Sequence, residues 1–148
     1  MKPVAALALL VKAVVGMTSV HFDGDYDERT RSLAKTSCSA GVNGLTTRYG
    51  WQTQGNVPHF PYIGGWDGGA SWNSQYCGSC LAVTYNNKTI NVLVVDHIDY
   101  GLDMAIAAMD ELTEGRATQD SPIYAKAEVV VSAACGVPPR KRSEDALA

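Results

Sequence analysis

Two runs of apolar and β-branched residues, Leu81-Ala82-Val83-Thr84-Tyr85 and Thr89-Ile90-Asn91-Val92-Leu93-Val94-Val95, flank Asn86-Asn87-Lys88. The pattern predicts a β-hairpin, because asparagine tolerates the positive φ that a tight turn demands. The second run stops abruptly at Asp96-His97. It would deliver a carboxylate and an imidazole to a sheet edge on a rigid support. Val20-His21-Phe22-Asp23 predicts a short strand, the alternation over residues 44–49 another, and the Val- and Ala-rich stretch 123–133 the last. Residues 27–35 alternate in charge and predict a brief helix. Between 103 and 113, Ala105, Ile106, Ala107, Met109 and Leu112 recur at helical spacing, with Asp103 in the position of an N-cap.

From residue 50 to 76 the periodicity collapses. Pro58, Pro61 and the glycines 64, 65, 68 and 69 break regular elements, and Trp51, Phe60, Tyr62, Trp66, Trp72 and Tyr76 crowd the same stretch. It reads as one long structured loop whose end Cys77 could pin. For Trp51, Trp66 and Trp72, packing is the expectation over sugar stacking.

The N-terminus changes the picture. Met1-Lys2-Pro3 precedes the apolar run Val4-Ala5-Ala6-Leu7-Ala8-Leu9-Leu10-Val11, too short to span a bilayer and shaped like a secretory signal. The reading is a signal peptide over 1–19, cleaved between Gly16 and Val20, one domain over 20–137, and a disordered tail over 138–148. Without Lys2 and Lys12, 10 basic residues face 15 acidic ones. No basic stripe is present, which argues against nucleic acid and anionic membranes as partners. The even count of cysteines, Cys38, Cys77, Cys80 and Cys135, predicts two disulfides in an exported chain, with the pairing left open. A redox Cys77-Gly78-Ser79-Cys80 or a four-cysteine zinc site is the lesser alternative.

Asp96 reads either as a sugar-hydroxyl acceptor or general base, or as a residue that accepts loop N–H groups. Asp103 reads as a helix cap or as a general acid with a raised pKa. His97 would form a dyad with Asp96 only if the strand ended between them, and His21 and His59 read as isolated. There is no G-x-S-x-G elbow, phosphate loop or HExxH, so no cofactor or metal is implied. Asn87-Lys88-Thr89 is an N-glycosylation sequon on the predicted hairpin tip.

Several short motifs recur in order: Val20-His21-Phe22-Asp23, Cys38-Ser39-Ala40-Gly41-Val42-Asn43-Gly44-Leu45, Val57-Pro58-His59-Phe60-Pro61-Tyr62-Ile63-Gly64-Gly65, Trp72-Asn73-Ser74, Cys77-Gly78-Ser79-Cys80, Gly101-Leu102-Asp103 and Cys135-Gly136. Over residues 20–137 the chain resembles the cerato-platanin family of small secreted fungal proteins. The resemblance implies a mostly β fold with short helices, a six-stranded double-psi β-barrel like the first domain of expansins. It implies disulfides Cys38–Cys77 and Cys80–Cys135. It also implies non-catalytic binding of chitin or other wall oligomers of N-acetylglucosamine in a shallow groove, self-assembly at interfaces, and elicitation of host defence through host receptors. The groove residues it implies are Asp96, with Asn43, Gly44 and Asn73 nearby. Leu81 stands where the family often has Trp, and Asp103 where it commonly has Asn. Asp103 is shared with expansins, so the alternative is an expansin-like wall-loosening protein or weak glycosidase using Asp96 and Asp103. His21-Phe22-Asp23 imitates an expansin motif at the wrong end of the chain and carries no weight in this reading.

Overall fold

A computed structural model describes residues 16–138. Residues 1–15 and 139–148, which hold most of the expected signal and tail, lie outside the described residues. Six strands close into a barrel in the order β1 (Met17–Phe22), β5 (Leu102–Met104), β2 (Ile63–Trp66), β4 (Lys88–His97), β3 (Cys80–Tyr85) and β6 (Ile123–Val130). Two of the pairings, β1 with β5 and β2 with β4, are parallel, which gives the double-psi character. The barrel is filled by Val20, Leu81, Val83, Val92, Val94, Leu102 and Met104 among others, all buried on one face of the sheet. Closure removes exposed sheet edges, the usual liability of a small β-protein.

The predicted hairpin is β3–β4, in register from Cys80 opposite Leu93 to Tyr85 opposite Lys88. Asn86 and Asn87 take φ of 47° and 64°, as a two-residue type I′ turn requires. The disulfides join Cys38 to Cys77 and Cys80 to Cys135, and no described cysteine is free. The redox and zinc alternatives therefore fall away.

Four expectations need correction. Residues 44–49 are not a strand: α1 (Leu45–Tyr49) is a short helix closed by Gly50 at φ 75°. Its propensity for β is overridden because the Cys38 and Ser39 carbonyls accept the Leu45 and Thr46 N–H groups, at 2.7 and 3.0 Å, while Leu45 is buried. The stretch 50–76 is not all loop, since β2 is a central strand. A Cβ built on Gly64 would lie 2.1 Å from the Asp103 carbonyl oxygen, so close approach of β5 demands glycine there. Asp103 is not an N-cap: it lies in β5, and α2 (Ile106–Thr113) starts three residues later. The cap comes from far away in sequence. Asp27 accepts the Ile106 N–H at 2.7 Å and the Ala107 N–H at 3.0 Å. Finally, residues 27–35 form no continuous helix: one 3-10 turn, Gly24–Asp27, ends where the stretch begins, and a second, Leu33–Lys35, follows an irregular link. A third short helix, α3 (Ala117–Asp120), precedes β6, which ends at Val130 because Ser132–Cys135 turns into a 3-10 helix that carries the second disulfide.

Candidate functional site

The register of three strand pairs creates one row of residues. Asp96 on β4 lies opposite Gly65 on β2, Gly65 opposite Asp103 on β5, and Asp103 opposite His21 on β1. A bulge between Gly64 and Gly65 brings Asp96 into this row. Two strand spacings separate the aspartates, about 10 Å between their backbones. Gly65 leaves the middle of the row without a side chain. That space is taken by the Tyr26 hydroxyl and the Ile98 side chain, which a Cβ on Gly65 would meet at 2.6 and 2.7 Å.

The two carboxylates have different surroundings. Asp96 is half-buried and engaged: Oδ2 accepts from the Tyr26 hydroxyl at 3.1 Å, and Oδ1 accepts the Ser37 and His97 N–H groups at 3.0 and 2.9 Å. Tyr26 is buried, and burial together with the Asp96 carboxylate holds its phenol well above the ordinary range, so it stays a hydroxyl donor. Asp96 accordingly accepts loop N–H groups while keeping acceptor capacity on Oδ2. His97 turns toward Asp99, 3.9 Å away, and forms no dyad with Asp96.

Asp103 is also half-buried, yet its carboxylate has no hydrogen-bond partner among the described residues. Burial raises its pKa, the His21 imidazole opposes that shift, and Asp23 adds to it. His21, read as isolated from sequence, is its cross-strand neighbour, with Nε2 2.9 Å from the Ser19 hydroxyl. The parallel β1–β5 pairing, invisible locally, brings the discounted His21-Phe22-Asp23 motif to the site. Because the folded state holds the Asp103 proton more tightly than the unfolded chain, this group's contribution to stability is fully present below the usual carboxyl pKa of 3.8. Stability then falls as pH rises through the raised value. Asp103→Asn removes that fall. Its melting temperature should exceed the wild type's at pH 7 by about 1–3 °C, solvent screening most of the effect, and match it near pH 3. An equal gap at both pH values in a melting series would assign the gain to packing.

Asn43, Gly44 and Asn73 are not in this row. The Asn43 N–H donates to Asn73 Oδ1 at 3.0 Å, and Asn43 Nδ2 donates to the Asn73 carbonyl at 2.9 Å. These two bonds, both donated by Asn43, brace the loops already joined by Cys38–Cys77. A Cβ on Gly44 would meet the Ala40 and Ser39 carbonyl oxygens at 2.3 Å, so Gly44 serves the turn into α1. These loops meet the row through Ser37, whose hydroxyl donates to the Ala70 carbonyl at 2.7 Å and whose N–H reaches Asp96. Trp51 and Trp66 pack against the core as expected, Trp51 stacked on Tyr49 at 4.4 Å. Trp72 does not: it is 65% exposed, because its neighbour Asn73 is drawn inward by Asn43. Tyr100, 70% exposed in the loop that carries Ile98, is an aromatic face that the sequence reading missed.

The cerato-platanin family model matches residues 18–137. The chain belongs to the cerato-platanin family. It is 40% identical over 120 residues to the heat-stable 19 kDa antigen of Coccidioides immitis, covering 81% of this chain and 82% of that one. The crystal structure of cerato-platanin 2 from M. perniciosa superposes with a TM-score of 0.76 at 36% identity, over 82% of this chain and 100% of that one. The solution structure of the fungal elicitor cerato-platanin gives a TM-score of 0.67 at 30% identity, over 79% and 95% of the two chains. As a cerato-platanin the protein is secreted and works outside the cell, where its two disulfides persist.

Proposed function

We propose that this cerato-platanin is a non-catalytic carbohydrate-binding protein of the fungal wall and host interface, engaging N-acetylglucosamine oligomers along the His21–Asp103–Asp96 row. The observation that carries this reading is the Asp103 carboxylate, half-buried on a rigid strand and without a hydrogen-bond partner among the described residues. A sugar hydroxyl or amide N–H is the complementary donor, and a carboxylate acceptor makes such a bond stronger than a neutral one. Tyr100, exposed in the loop that joins β4 to β5, offers an aromatic face for stacking. The likeness to a protein described as a fungal elicitor supports the host-interface role.

Binding is favoured over hydrolysis. Asp96 is held by three hydrogen bonds, and the Tyr26 hydroxyl lies between it and Asp103, where a glycosidase would need open space for the bond being cleaved. Calorimetry with a chitin tetramer should show Asp103→Ala weakening binding by about tenfold, the loss of one charge-assisted hydrogen bond. Unchanged affinity would remove Asp103 from the site. Prolonged incubation of the wild type with chitin oligomers should release no new reducing ends, and their appearance would favour the hydrolytic alternative. Asn87, at the exposed hairpin tip, is the expected N-glycan acceptor.

A further inference from the structure

A second polar depression, of about 450 Å³, opens beside the 3-10 turn that carries Tyr26. It is lined by Asp25, Glu28, Thr30, Arg31, Ser32 and Lys35. Its wall is built around Gln54, whose side chain is fully buried. Gln54 Nε2 donates to the Asp25 and Glu28 carbonyls, each at 2.9 Å, and Oε1 accepts from Arg31 Nη1 at 3.0 Å. Both ends of a buried amide are thus spent on holding this wall and aiming one guanidinium. The Arg31 guanidinium also lies 5.6 Å from the Tyr26 ring centroid, so a single side chain links it to the Tyr26–Asp96 hydrogen bond.

The charges decide the ligand class. Two acids and two bases line the depression, yet none forms an ion pair, although ion pairs occur elsewhere on the described surface. A bound anion would face Asp25 and Glu28, and a cation would face Arg31 and Lys35. A neutral ligand bearing hydroxyl groups, each both donor and acceptor, satisfies both sets at once. All six lining residues carry polar or charged side chains, so the depression lacks the apolar walls that a lipid or an aromatic compound would need.

We infer that the Arg31 depression is a second saccharide subsite, taking neutral sugar units of an oligomer whose other end lies on the His21–Asp103–Asp96 row. This rests on the reading of that row as a glycan site, and the test separates the two. Nitrogen-15-labelled protein is titrated with the dimer and the hexamer of N-acetylglucosamine, and separately with inorganic phosphate. The hexamer should shift the amides of Thr30, Arg31, Ser32 and Lys35 together with those of the row, and the dimer the row alone. Arg31→Ala should weaken the hexamer by about tenfold and leave the dimer within about twofold. Lys35→Ala, an exposed position outside the Gln54 network, should weaken only the hexamer if Arg31→Ala disturbs the fold. Row shifts without any in residues 30–35 would overturn the subsite and leave the proposed function standing. Shifts in neither set would overturn both. Movement of residues 30–35 by phosphate but not by hexamer would make this an anion site and overturn the inference.

Discussion

Asp96→Ala should lower unfolding stability by about 2–4 kcal/mol, more than a change at a solvated glycan contact would. Truncation strands the Tyr26 hydroxyl in a buried position and frees the Ser37 and His97 N–H groups. Leaving a buried donor unsatisfied costs more than the net worth of the bond. Because Ser37 also holds the Ala70 carbonyl, the loss spreads to the loop that carries Trp72. Asp96→Asn is the control, since its amide oxygen can still accept both backbone N–H groups. Urea titration should place Asp96→Asn within about 1.5 kcal/mol of the wild type and Asp96→Ala well below it. Equal and small losses would mean that Asp96 does not brace the end of β4. A fall in sugar binding by Asp96→Ala alone would then report a loosened scaffold, whereas a fall in both variants would report contact with the ligand.

The larger effect is expected from the second disulfide. Cys80–Cys135 closes a loop of 55 residues and ties the start of β3 to the 3-10 helix after β6. In the chain-entropy model, opening a loop of that length costs about 4 kcal/mol. For a domain of this size that is a drop of roughly 15 °C in melting temperature. Cys80→Ala/Cys135→Ala measured by circular dichroism should show this drop while the far-ultraviolet spectrum at 10 °C stays that of the wild type. A drop below about 3 °C would mean that the unfolded chain is already compact without the bond.

What the residues declare of this fold depends on whether the signal is local. The β3–β4 hairpin is legible because alternation and an Asn-Asn turn sit side by side. β2 is not, since Gly64 and Gly65 show no periodicity and their purpose appears only when β5 and Tyr26 arrive. Asp103 mimics a helix cap because it stands just upstream of a helix, while the working cap, Asp27, is remote in sequence. For the site, Asp96 was visible as the polar end of an apolar run. Its anchoring by Tyr26 and Ser37, and the pairing of His21 with Asp103, depend on contacts between distant segments. Asn43 and Asn73 lie in the right motifs, and their link to each other, two hydrogen bonds that Asn43 donates, spans thirty residues of sequence.

The seam that shuts the barrel runs between β1, residues 17–22, and β6, residues 123–130. The opening strand therefore waits for the closing one, and about a hundred residues must emerge before the cylinder can seal. A chain whose closing pairing comes this late is slow to complete its fold, which suits passage through a narrow translocation pore. The same late seam leaves the finishing of the cylinder to the oxidising compartment in which its sulfurs are joined.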